Sequence, residues 1–177
     1  MTTGRHCGIR LPVIDHPRRL IGGRVVDFSR EVAVMAIINR TPDSFSDRGA
    51  TFALDAAIAA ARAAIADGAD WVDIGADWVD IGGAKFAPGP AIPVRAEIDR
   101  CVPVIAALRG SGAVISLDTF QAEVVRAGIA AGAGVINDTT GLSDPAMAGV
   151  VADSEATLVI THSRAAPRTA HHTSGLR

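Results

Sequence analysis

From Glu31 onward the chain alternates short, uniformly apolar runs with longer Ala-rich stretches whose apolar positions recur every three or four residues. Residues at that spacing share one helix face, whereas a short apolar run rich in β-branched residues suits a strand buried on both faces. The pattern predicts strands at Val32 to Ile38, Trp71 to Ile81, Ala113 to Leu117, Gly134 to Ile136 and Thr157 to Ile160. Helices are predicted at Leu54 to Asp67, Val94 to Leu108, Gln121 to Ala131 and Pro145 to Ala152, with Gly68 and Gly110 as stops. Ile58, Ala61 and Ile65 form the apolar stripe of the first helix; Ile98, Val102, Ile105 and Ala106 form that of the second.

Strands that alternate with helices make an α/β protein with a mainly parallel sheet. The Gly-x-Gly-x-x-Gly turn of a dinucleotide-binding sheet is absent, and strand after strand ends on polar residues: Asn39, Asp80, Asp118, Asn137 with Asp138, and His162. One polar residue from each of several strand ends is how a TIM-type (β/α)₈ barrel builds its site. A full barrel takes about 250 residues, and this chain has 177. The expectation is a partial barrel over 31–164, truncated after its fifth strand, with an N-terminal segment at 1–30 and an unstructured tail at 165–177.

The heptapeptide Ala-Asp-Trp-Val-Asp-Ile-Gly occurs twice in tandem, at 69–75 and 76–82. Side chains alternate faces along a strand, so sliding by seven residues would reverse every inward position. One copy is therefore expected to form the strand and the other to loop out, which exposes apolar residues and burdens solubility.

Composition narrows the partners. Hydrophobic residues make up 49% and charged residues 20%, as in ordinary globular domains, while aromatics at 4% with no Tyr leave little to stack on nucleic-acid bases. No run of roughly 18 apolar residues is present to span a membrane, and the expectation is a cytoplasmic protein without nucleic-acid or membrane partners. Cys7 and Cys101 lack metal or redox spacing and read as isolated thiols.

The densest chemistry is Asn39-Arg-Thr-Pro-Asp-Ser-Phe-Ser-Asp47, whose oxygen donors suit a hard cation such as Mg²⁺, or else simply solvate a turn. Asp118 has two readings, a ligand carboxylate or a cap on the helix that follows. Asp138 fits a strand-end residue bonding the turn after it.

The string NRTPDSFSDRG resembles the first-loop signature of dihydropteroate synthases, and DWVDIGG with APGP, SLDTFQAEV and GVINDTTGLSDPAM follow in the order of that family. The resemblance runs from about Glu31 to His162. It implies an eight-stranded pterin-binding barrel that condenses 4-aminobenzoate with 7,8-dihydropterin-6-methyl diphosphate in folate biosynthesis. It further implies that Asn39 is a ligand of the Mg²⁺-diphosphate, and that Asp118, Asn137 and Asp80 bind substrate. Asp73 is the duplicate of Asp80, and the two exchange roles if the first heptad forms the strand. His162 resembles the family's fifth-strand histidine, with Thr161 in place of a Met.

The second loop departs from the family. Active members read GGESTRPG, whereas this chain reads Gly82-Gly-Ala-Lys-Phe-Ala-Pro-Gly89. Phe86 cannot donate a hydrogen bond, and Ala87 removes a guanidinium that would grip an anion. The pattern is similar to the degenerate second copies of the enzyme that some bacteria carry, and no catalytic residue is assigned with it. Two alternatives remain: the folate-binding barrel of a pterin-dependent methyltransferase, or a non-catalytic pterin-binding chain that forms a homodimer or pairs with a full-length relative.

Overall fold

The computed structural model describes residues 15–40, 53–75 and 92–162. Its first element is one that the apolar pattern passes over. Strands β1 (Arg18–Ile21) and β2 (Arg24–Asp27) pair antiparallel around Gly22 and Gly23. Both glycines have positive φ, 54° and 79°, as a two-residue hairpin turn requires.

Among the described residues the main sheet has five parallel strands, in the order β3 (Met35–Asn39), β4 (Trp71–Gly75), β5 (Val114–Asp118), β6 (Val135–Asp138) and β7 (Thr157–Ile160). Between them run α1 (Leu54–Ala66), α2 (Val94–Leu108), α3 (Ala122–Ala131) and α4 (Met147–Ala152). Strand order follows chain order with a helix in each crossover, which is the arrangement of a partial (β/α)₈ barrel. The first strand begins at Met35 rather than Val32 because Val34 is tied across the sheet's N-terminal end. Its carbonyl accepts from the Asp70 and Trp71 amides, and its amide donates to Asp70 Oδ2.

Pleating splits the strands into two faces. Ile38, Ile74, Leu117, Ile136 and Leu158 share one register row and pack with the helices in the main core. The helical stripe on α2 is rotated from expectation. Glu97, Cys101, Val104, Ile105 and Leu108 are its buried residues, while Ala106 is exposed and Ile98 only partly buried. Both stripes satisfy helical spacing, and contact with α3 selects the one that contains an acid.

The hairpin closes the N-terminal end of the other face. Ile21 packs with Val114 and Val135, and Phe28 and Trp71 lie against them. The hairpin backbone comes close enough that a Cβ on Gly134 would stand 3.0 Å from Gly22 Cα. The Gly22 amide donates to Thr157 Oγ1 at 3.1 Å, fixing the contact. The strand-end row that carries Asn39, Asp118 and Asn137 lies at the opposite, C-terminal end of the strands.

The first heptad copy forms β4. The second copy, and with it Asp80, lies outside the described residues, as do Thr41 to Asp47 of the first loop and the second loop at 82–90.

Candidate functional site

One register row at the strand ends gathers three of the expected residues. Asn39 pairs with Gly75, Gly75 with Asp118, Asp118 with Asn137, and Asn137 with Val159. Asn39, Asp118 and Asn137 are thus brought onto the helix-free face by three different strands. Gly75 sits between the first two, and a Cβ there would come within 3.2 Å of Asn39 Oδ1 and 3.7 Å of Asp118 Cβ. The glycine that ends the heptad keeps the floor of the site open at that point.

Two residues below, in the same phase, are Asp73 on β4 and Ser116 on β5, which are register partners. Asn137 Nδ2 donates to Asp73 Oδ2 at 3.0 Å. Asp73 Oδ1 and Ser116 Oγ are buried without a completed hydrogen bond among the described residues. Asp73 is the aspartate carried by β4, and its duplicate Asp80 lies outside the described residues. Burial pushes its carboxyl above the usual range, and the Ser116 hydroxyl and Asn137 amide beside it oppose that shift.

Asp118 is the most perturbed of these acids. It is 8% exposed. Burial raises its carboxyl well above the usual range, and the charges of Asp73, Glu97 and Asp138 push the same way. It does not cap α3, whose N-terminus has no side-chain cap of its own. Instead the Ala122 amide donates to Asp144 Oδ2 at 2.9 Å from the loop after β6, and Thr119 Oγ1 accepts from the Gln121 amide at 3.2 Å. The capping role that competes for Asp118 is filled by other residues.

Asp138 behaves as a structural residue. Its carboxylate accepts from the Thr140 amide at 2.9 Å, the Thr140 hydroxyl at 2.6 Å and the Leu142 amide. These bonds hold a turn in which Gly141 and Leu142 have φ of 74° and 66°. His162 is exposed just beyond β7, outside the row. Cys101 is a free thiol buried on α2, pushed up by burial, and so a poor nucleophile. Cys7 lies outside the described residues.

Among the described residues no group of three or more His, Cys, Asp or Glu is arranged to hold a metal ion. No helix among them is long and apolar enough to cross a membrane. Sequence reading missed Glu97, Gln121 and Asp144. An acid in phase with the core stripe of α2 was the available signal for Glu97; the other two act through contacts between loops that no spacing encodes.

A parallel (β/α) sheet in chain order, with amide and carboxyl groups on its strand-end row, defines a partial (β/α)₈ barrel. The family described as "Pterin binding enzyme" matches residues 35–177, and the chain belongs to that family. It is 48% identical over 153 residues to "Inactive dihydropteroate synthase 2" of Mycobacterium leprae, covering 85% of this chain and 50% of that protein. Dihydropteroate synthase of Xanthomonas albilineans, solved with 4-aminobenzoic acid, is 40% identical, with a TM-score of 0.69 over 84% of this chain and 52% of that one. The Burkholderia cenocepacia enzyme complexed with 7,8-dihydropteroate is 34% identical, with a TM-score of 0.69 over 85% and 48%. The chain therefore spans about half the length of the relatives it matches.

Proposed function

We propose that this chain binds a pterin on the Asn39–Asp118–Asn137 row, above Asp73, and does not turn over the family's substrates. The observation that carries the reading is the row itself: residues of three separate motifs share one register level, face one side and leave the capping of α3 to Asp144. A pterin edge alternates ring N–H and amino donors with acceptors. The Asp118 carboxyl accepts from the donors, whose approach favours its ionised form over the proton that burial otherwise keeps on it, and the Asn137 amide both donates and accepts. The Asp73 carboxylate fixes which way that amide points.

In the family's reaction diphosphate leaves the pterin methylene carbon and the arylamine of 4-aminobenzoate attacks it. Positioning and charge stabilisation supply most of the acceleration. Asn39 offers one hard oxygen at the mouth of the row, which fits a Mg²⁺ ion that takes one or two protein ligands and keeps phosphate oxygens and water for the rest. That ion, when bound, would neutralise the diphosphate. The second loop supports the absence of turnover, because Lys85-Phe86-Ala87 stands where the active sequence has Ser-Thr-Arg. Losing one preorganised donor of this kind costs on the order of 10²-fold or more in rate. The likeness to proteins named inactive points the same way.

Two measurements test the reading. Calorimetry with a pterin is expected to show binding that Asp118→Ala abolishes; equal affinity in both chains sinks the assignment. A coupled assay of diphosphate release, with Mg²⁺, the pterin diphosphate and 4-aminobenzoate, is expected to stay at background, and arylamine-dependent turnover would overturn the inactive reading.

A pairing role is supported by a separate observation. Met35 and Ile37 on one outer strand, and Val159 and Ile160 on the other, are 38–50% exposed. Outer strands with free backbone groups and apolar side chains recruit further strands. Size-exclusion chromatography is expected to show association with a second copy or with a full-length relative; a monodisperse monomer in both cases argues against it. The cytoplasm is the compartment proposed for these roles.

A further inference from the structure

Glu97 is 1% exposed, on the face of α2 that packs toward β5 and α3. Burial pushes its carboxyl up, with the Thr119 and Gln121 side chains opposing. One of its oxygens, Oε1, has no hydrogen-bond partner among the described residues. A leucine at this point of an otherwise apolar stripe would avoid the cost of burying a half-satisfied acid. What the carboxylate does that an apolar side chain cannot is accept, at Oε2, from the Nε2 of Gln121.

Gln121 is the hub of this contact. Its Nε2 also donates to the Ile92 carbonyl at 3.1 Å, and its backbone amide donates to Thr119 Oγ1 at 3.2 Å. Ile92 is the first described residue after the second loop, two positions before α2 begins. Thr119 directly follows Asp118. A single side chain thus ties the return of the second loop, the start of α2 and the loop after Asp118 to one another, and Glu97 holds that side chain in place.

We propose that Glu97 is a positioning residue. Through Gln121 it fixes the N-terminal turn of α2, and the point where the second loop returns, against the loop that carries Asp118. Its effect on binding rests on the pterin reading above, because it acts on the pterin only by keeping the Asp118 loop in place. The contact needs an acceptor at position 97 rather than a charge.

The experiment compares the full chain with Glu97→Ala, Glu97→Gln and Gln121→Ala, using pterin affinity and amide hydrogen exchange. Glu97→Ala is expected to weaken pterin binding about tenfold, the weight of one buried hydrogen bond. It should also speed exchange at Gln121 and in the first turn of α2, leaving Ile136 in the central sheet unchanged. Glu97→Gln keeps an acceptor oxygen and is expected to restore both. Equal affinity and equal local exchange in Glu97→Ala and the parent chain overturn the proposal, as does a Glu97→Gln variant as impaired as the alanine. Where Glu97→Ala does not fold, Gln121→Ala is expected to loosen the first turn of α2, and unchanged exchange there overturns the proposal equally. A parent chain that binds no pterin refutes the pterin reading, and the exchange measurements alone then decide the positioning role.

Discussion

Asn137 on β6 donates its amide proton to Asp73 on β4, reaching across β5 at 3.0 Å beneath the strand-end row. The bond joins strands that are not neighbours, so it fixes the curvature of the sheet as well as the orientation of the amide. A double-mutant cycle with Asp73→Ala and Asn137→Ala is expected to give a coupling of about 1.5–3 kcal/mol, the range for a hydrogen bond to a charged group. Additive stabilities in urea denaturation would show that the contact contributes nothing.

Asp118 is expected to oppose stability. Its carboxyl is raised well above the usual range by burial and then by neighbouring acids. The folded chain therefore holds a proton that the unfolded chain has released once pH passes the ordinary aspartate range, and stability falls as pH rises from there toward the folded value. Asp118→Asn removes this penalty. The variant should gain roughly 1–3 kcal/mol near neutral pH, the scale of an unfavourably buried polar group, gain less in acid, and lose pterin binding. Thermal melts across pH check this, and a lower melting temperature at neutral pH would mark Asp118 as a structural support.

Asp144 has the opposite sign. The Ala122 and Ala146 amides hold its carboxyl below the usual range. Its contribution is complete above the ordinary aspartate range and is lost as pH falls through the lowered folded value. Asp144→Ala is expected to cost about 1 kcal/mol at neutral pH, as loss of a helix cap does. The difference from the parent should shrink in strong acid. A pH-independent difference in urea midpoints would show that the side chain matters for packing instead.

Removing one heptad is expected to raise soluble yield. Because the copies are identical, deleting 69–75 or 76–82 gives the same sequence, in which Gly68 still follows α1 and the strand runs directly into Gly83. Unchanged or lower yield and melting temperature in the deletion variant would show that the extra copy is not a burden.

The helices and the core strands were legible because their apolar periods are imposed by burial. Ile74, Leu117 and Ile136 read as strand residues for the same reason that they end up fully buried. The hairpin was not, since Arg18 to Ile21 and Arg24 to Asp27 mix charge with apolar residues and gain their structure from the contact with Val114 and Val135. The row of Asn39, Asp118 and Asn137 was legible as strand-end polar residues and as family motifs. The choice between Asp73 and Asp80 was not, because identical heptads carry no local preference. Glu97 was hidden by the same ambiguity that displaced the α2 stripe: two faces of that helix satisfy the spacing, and only packing chooses between them.

A strand drawn from one of two identical copies has a consequence for how this sequence can change over generations. Recombination between the two coding segments removes seven whole codons and preserves the reading frame, and it yields one and the same protein wherever within the repeat the exchange falls. The insertion is therefore reversible in a single event. The replacement of Ser-Thr-Arg by Lys85-Phe86-Ala87 is not, since each residue must be restored by its own mutation. Of the two departures in this stretch of chain, the conspicuous duplication is the shallow one, and the quiet substitutions beside it are the harder to reverse.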